Sequence, residues 1–274
     1  MTRDAPAGQL PLTEVVMAEL SDYRSYTRAA LKRENGILQI TLHNGSGDSL
    51  VWDEAAHREL PDLWSEVGAD RANRVVILTG AGADFCADTD VSGWTDMGSA
   101  MGWDKIYWEA KRLLLNLLEI EVPIIAAING RALAHPEIAV VSDVVLASDE
   151  TVMSDSHFAG GIVPADGCHV VWPMLLGPNR GRYFLMTGEE IDAEEAKRLG
   201  VVAEVLPSER LLPRAWEIAR TFAQKNDIAL RYTRVALTQD LKVALTSNLS
   251  HGLALEGASA GAAFAGLQAH WEKR

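Results

Sequence analysis

The chain is poor in cysteine, with only Cys86 and Cys168 in 274 residues. Two thiols so far apart give neither a disulfide framework nor a zinc-finger spacing, and they fit a reducing cytoplasm, the expected location. Basic residues are scarce as well: 25 Lys and Arg against 38 Asp and Glu leave a formal net charge of −13. That balance disfavours a nucleic acid or an anionic membrane surface as a partner, since both need clustered cations. No apolar run reaches the length of a membrane span, and the opening residues carry no apolar segment of a secretion signal. Familiar motifs are missing too. No His-Glu-x-x-His, Walker loop or EF-hand occurs, and the seven histidines show no metal-ligand spacing. Gly80-Ala-Gly82 lacks the third glycine of a dinucleotide loop, with Phe85 in its place. Gly257-Ala-Ser259-Ala-Gly261 spells a nucleophile elbow, but its surroundings read as helix, without the strand an elbow needs. No metal and no cofactor is expected.

What remains is an α/β pattern of ordinary globular composition. Residues 1–25 read as a loose N-terminal arm, 26–205 as the core, and 206–274 as a helical C-terminal region. Glu34-Asn35-Gly36 between alternating apolar residues signals a hairpin. Val75-Val-Ile-Leu and Pro123-Ile-Ile-Ala-Ala-Ile128 are short continuous apolar strands of the kind buried on both faces. Residues 80–90 read as a small-residue loop, Val201–Val205 as the last strand, and Ser208 as the opening of a capped helix. Residues 228–272 read as helical, with a break near Gly252 or Gly261.

The chemistry is expected in Ser154-Asp-Ser-His157-Phe-Ala-Gly-Gly-Ile-Val-Pro-Ala-Asp166-Gly167. Gly160, Gly161 and Pro164 can fold this loop back and bring the Asp166 carboxylate to the His157 ring. A carboxylate on one ring nitrogen frees the other to take a proton, which is the minimum needed to activate water. Trp52, beside a polar loop, is the tryptophan placed to line a site.

Several further segments have the order and spacing of a known family. They include Val75-Val-Ile-Leu-Thr-Gly, Phe85-Cys-Ala-Asp-Thr-Asp-Val, Pro123-Ile-Ile-Ala-Ala-Ile-Asn-Gly, Pro136-Glu-Ile-Ala-Val-Val-Ser-Asp143 and Gly161-Ile-Val-Pro. The chain resembles the crotonase (enoyl-CoA hydratase/isomerase) superfamily. The resemblance implies a spiral of ββα units, a helical C-terminal trimerisation region, and an oxyanion hole of two backbone N–H groups. By position these fall at Thr89 and near Ala134 or His135. Of the two hydratase glutamates, Glu137 is present and the second is replaced by His157. Leu133-Ala134-His135 replaces the glycine triplet, and the basic residue that helps hold coenzyme A is absent after Asp90. Within the superfamily, Ser49-Leu-Val-Trp52, His57, His135-Pro136-Glu137, His157-Phe158 and Val170-Val-Trp-Pro173 resemble the branch of 6-oxocamphor hydrolase and related cyclic β-diketone hydrolases. That implies a retro-Claisen hydrolase with a His157–Asp166 dyad, a substrate-binding His135, supporting positions at Trp52, His57 and Glu256, a small diketone substrate, and a homotrimer or dimer of trimers. A CoA-dependent crotonase (hydratase, isomerase or thioesterase) and a non-catalytic or RNA-binding crotonase scaffold stand as alternatives.

Overall fold

The computed structural model describes residues 23–94 and 96–271, with side chains to residue 263. Most of the arm expected over 1–25 therefore lies outside the described residues. Strands β1 (Ala29–Glu34) and β2 (Ile37–Leu42) form the expected antiparallel hairpin across Asn35-Gly36. From β2 onward the chain winds as a spiral. Each turn places one strand in a large sheet and a second, shorter one in a small sheet. β2 leads to β3 (Leu50–Trp52) and helix α1 (Glu54–Ala69); β4 (Val75–Gly80) leads to β5 (Cys86–Thr89) and α2 (Ala100–Glu119). β6 (Ile124–Ile128) leads through Ala132 to the short α3 (Glu137–Val140), and β7 (Val144–Ser148) leads to β8 (Val152–Met153). Helices α4 (Cys168–Leu176) and α5 (Pro178–Thr187), strand β9 (Ile191–Asp192), α6 (Ala193–Arg198), β10 (Glu204–Leu206), α7 (Ser208–Ala223) and α8 (Asp227–Trp271) complete the chain.

The large sheet has the order β1-β2-β4-β6-β7-β10 and is parallel from β2 on. Its central strands Val75–Thr79 and Ile124–Ile128 are buried on both faces, which is why they read as unbroken apolar runs. Helices α1 and α2 cover one face with Leu60, Leu63, Trp64, Leu113, Leu114 and Leu117. Helix α7 covers the other with Leu211, Ala215, Trp216 and Ala219. In the small sheet β3 pairs in parallel with β5, and Ala132 bridges Cys86 and Met153, again in parallel. The ends of β3, β5 and β8 and the turn after Ala132 therefore emerge side by side. Ligand sites of open parallel sheets gather at the carboxyl ends of strands.

Four local expectations change. Residues 86–89 are a strand, because Cys86 and Thr89 pair with β3. The last strand lies at Glu204–Leu206, three residues later than its apolar run suggests, where it pairs with β7. Helix α7 has Pro207 at its N-cap and no side-chain capping bond, so Ser208 caps nothing. Helix α8 runs unbroken through Gly252 and Gly261. Gly252 and Gly257 serve close packing: a Cβ on Gly252 would lie 2.6 Å from the Ala165 carbonyl oxygen, and one on Gly257 would enter the Trp103 indole. Ser259, inside this helix, accepts a hydrogen bond from the Val163 N–H and donates to the Glu256 carbonyl, so it is no exposed nucleophile.

Candidate active site

A cavity of about 480 Å³ opens where the small-sheet strands end. Eight residues singled out from the sequence line it: Trp52 from β3, His57 from α1, Thr89 from β5, Ala134 and His135 from the turn after Ala132, His157 and Asp166 from the loop after β8, and Glu256 from α8. Trp94, Trp103, Ile106 and Ile162 give it apolar walls. Its described lining contains no Lys or Arg.

The polar pole is a chain of aromatic rings and carboxylates. Trp52 stacks on His135 with ring centroids 4.0 Å apart, and His135 meets His157 edge-on at 5.5 Å. His135 sits at φ +48°, a strained position for a residue with a Cβ, held by Pro136 after it and by two carboxylates. Its Nδ1 is 2.9 Å from Glu137 Oε1 and 2.9 Å from Asp166 Oδ2. His157 is held differently from the expected dyad. Its Nδ1 is 3.1 Å from Asp155 Oδ2, and its backbone N–H donates to Asp155 Oδ1 at 3.2 Å. Asp166 Oδ2 faces the other nitrogen, Nε2, at 3.6 Å, beyond hydrogen-bond reach. Asp155 therefore orients His157, while Asp166 lies between the two histidines and makes its short contact with His135. Asp155 was missed in the sequence, although it stands two residues before His157, where a side chain can cap the local turn. Cys168 donates its S–H to the other Asp166 oxygen at 3.3 Å.

Electrostatics follow from burying four carboxylates around two imidazoles. Burial opposes charge on His135, but the Asp166 carboxylate and hydrogen bonds to Asp166 and Glu137 outweigh it and push the ring up to about 10. His157 is likewise raised well above its ordinary value: burial opposes, and Asp166 and Asp155 prevail. Asp166 is held far below the usual carboxylate range, since the attraction of His135 and His157 exceeds its burial cost. Glu137 is raised by burial, and its Oε2 has no partner among the described residues. Glu256 is raised to about 8, first by burial and then by the Asp166 charge. The cluster thus favours an ionised Asp166 between two rings that hold their protons more tightly than an ordinary histidine, beside two carboxyls, Glu137 and Glu256, that resist ionisation. Such groups titrate as a unit.

Two expectations need correction. The Ala134 N–H donates to the Cys86 carbonyl at 3.1 Å, so it is not free as an oxyanion donor. The His135 N–H next to it has no hydrogen-bond partner among the described residues. Second, sequence spacing hides a metal-ligand geometry: donor atoms of His135, His157 and Asp166 lie within 4.8 Å of one another, as do those of Asp155, His157 and Cys168. Within these groups the short contacts are His135 Nδ1 to Asp166 Oδ2 and His157 Nδ1 to Asp155 Oδ2. Glu137, the glutamate shared with hydratases, is wholly buried, bonds to His135 and is absent from the described lining.

The chain matches the enoyl-CoA hydratase/isomerase family over residues 32–274. Among solved structures it is similar to a β-diketone hydrolase from the cyanobacterium Anabaena, bound to (S)-3-oxocyclohexyl acetic acid. Identity is 50%, the TM-score is 0.84, and the match covers 86% of this chain and 95% of that one. Among curated relatives it is 29% identical over 224 residues to a crotonyl-CoA hydratase of Syntrophomonas wolfei, covering 79% of this chain and 84% of the relative. A 2,3-dehydroadipyl-CoA hydratase of Escherichia coli is 27% identical over 221 residues, covering 80% and 85%.

Proposed function

The chain belongs to the enoyl-CoA hydratase/isomerase family, and within it we propose that the protein is a hydrolase that cleaves a carbon–carbon bond of a cyclic β-diketone. The observation that carries this reading is the pair Glu137 and His157. The hydratase glutamate that is retained has turned away onto His135, and the one that is lost is replaced by an imidazole with a carboxylate on each side. A thioester hydratase uses a glutamate at each of these two positions. This cavity offers a base for water and a cation for an enolate instead. Its described lining also carries Asp155, Asp166 and Glu256 with no Lys or Arg, a poor setting for the phosphates of coenzyme A.

The proposed reaction is a retro-Claisen hydrolysis. Neutral His157 takes a proton from water through Nε2, while Asp155 holds Nδ1. The hydroxide adds to one ketone carbon. The tetrahedral intermediate collapses by breaking the bond to the carbon between the two carbonyls, and the second carbonyl receives the electron pair as an enolate. The His135 imidazolium and the His135 N–H are the donors suited to that oxygen; one such donor is worth about 3–4 kcal/mol. The proton on His157 then passes to the enolate carbon, giving a keto acid. The Anabaena relative's ligand is a cyclic ketone with an acetic acid arm. Adding water across the carbon–carbon bond of a bicyclic β-diketone gives a product of this type, which supports the assignment. Conversion of a bicyclic β-diketone in ¹⁸O-water tests it. One ¹⁸O from solvent in the carboxylate of the product is expected; an intact diketone would sink the reading.

The neighbouring curated relatives are hydratases of CoA thioesters, and that is the competing reading. Turnover of crotonyl-CoA would favour it.

A further inference from the structure

A second carboxylate–imidazole pair reaches the same cavity through its ring, apart from the His135–Asp166–His157 cluster. Glu109 lies on the buried face of α2, flanked by Ile106, Ala110 and Leu113, and is 8% exposed. A carboxylate on an apolar helix face is retained only with a partner. Its Oε2 is 2.8 Å from His57 Nδ1. His57 stands on the first turn of α1, and its ring meets Trp52 and Trp94 nearly at right angles, with centroids 5.9 and 5.6 Å away. Its Nε2 makes no hydrogen bond among the described residues. Unlike both nitrogens of the packed His169, it is not sealed from the surrounding space. The ring lines the cavity.

We propose that Glu109 is a positioning residue that keeps a proton on His57 Nδ1, so that Nε2 faces the cavity as an acceptor for an O–H on the bound molecule. A lone pair there repels a bare carbonyl oxygen and attracts an O–H. The pair would therefore fix which end of an oxygenated ring enters first. The identity of the ligand rests on the diketone reading above; the pairing of Glu109 with His57 does not.

The test combines a spectroscopic and a binding readout on the full chain. With ¹⁵N-histidine labelling, and His57 assigned by its loss in His57→Asn, the ring nitrogens report the tautomer. Wild type should show the Nδ1–H form at alkaline pH. Glu109→Gln, whose amide oxygen can still accept, should keep it; Glu109→Leu should lose it. A purely structural Glu109 would leave the tautomer unmoved. In parallel, a bicyclic hydroxyketone should bind wild type and Glu109→Gln about tenfold more tightly than the matching diketone, the worth of one hydrogen bond. Glu109→Leu should lose that preference. An Nε2–H tautomer in wild type, an unchanged tautomer in folded Glu109→Leu, or a preference that survives Glu109→Leu would overturn the proposal. If no diketone is turned over but the tautomers behave as expected, the pairing stands and only the diketone reading falls.

Discussion

At the scale of residues, the proposed chemistry rests on His157 and the carboxylates around it. If His157 is the base, His157→Ala should lower kcat about 100- to 10,000-fold, the usual worth of general-base help. Asp155→Asn should be nearly as damaging with the fold intact, because a neutral amide can accept from Nδ1 but cannot stabilise the imidazolium that forms when His157 takes a proton. Asp166→Asn, by contrast, should act mainly through His135. The pH dependence has a definite sign. His157 must be neutral to take a proton, and its neighbours raise its pKa. Activity should therefore be low in the acid range and rise along a limb alkaline of ordinary histidine. It should fall again where His135, raised to about 10, loses its charge. Once ionised, Glu256, raised to about 8, adds to the rise at His157, so Glu256→Gln should move the acid limb to lower pH; a limb that stays in place would contradict the cluster as drawn. The His157–Asp166 loop was legible because its glycines and proline announce a turn. Asp155 and Glu109 were not. One acts through a two-residue local turn, and the other looks like a solvent-facing charge until α2 is packed on α1.

At the scale of elements, α8 does most to close the site, and sequence patterning misjudged it. Glycine normally weakens a helix, so Gly252 and Gly261 suggested a break. In the fold, glycines of this helix let it lie against the His169 ring, the Ala165 carbonyl and the Trp103 indole. Gly257→Ala should therefore destabilise by about 1–3 kcal/mol in urea unfolding, despite the better helix former, because the methyl group overpacks the cavity wall. Stabilisation would refute this packing. At its other end α8 is anchored by Arg234, whose side chain is almost wholly buried. It donates to the carbonyls of Ile120 and Leu117 and pairs with Asp143. Arg234→Ala should cost about 3–5 kcal/mol, the usual result of breaking a buried pair. The parallel strands, in contrast, were plain in the sequence, since burial on both faces leaves an uninterrupted apolar run. The short strands β3 and β5 were not, because three or four residues carry too little period to register.

At the scale of the whole molecule, the described surface leaves Met174, Tyr183 and Met186 of α4 and α5, and Tyr232 and Leu237 of α8, well exposed. Apolar side chains of this size favour association. We expect a trimer of the 29.8 kDa chain, alone or paired into a hexamer, by sedimentation equilibrium; a monomer at micromolar concentration would contradict it. The central claim is about chemistry and is best tested on the whole enzyme. Purified protein, as wild type and as His157→Ala, should be offered a bicyclic β-diketone and crotonyl-CoA in separate assays. Wild type should consume the diketone, His157→Ala should not, and neither should hydrate the thioester at a comparable rate. Turnover of crotonyl-CoA alone would return the protein to the CoA-dependent side of its family.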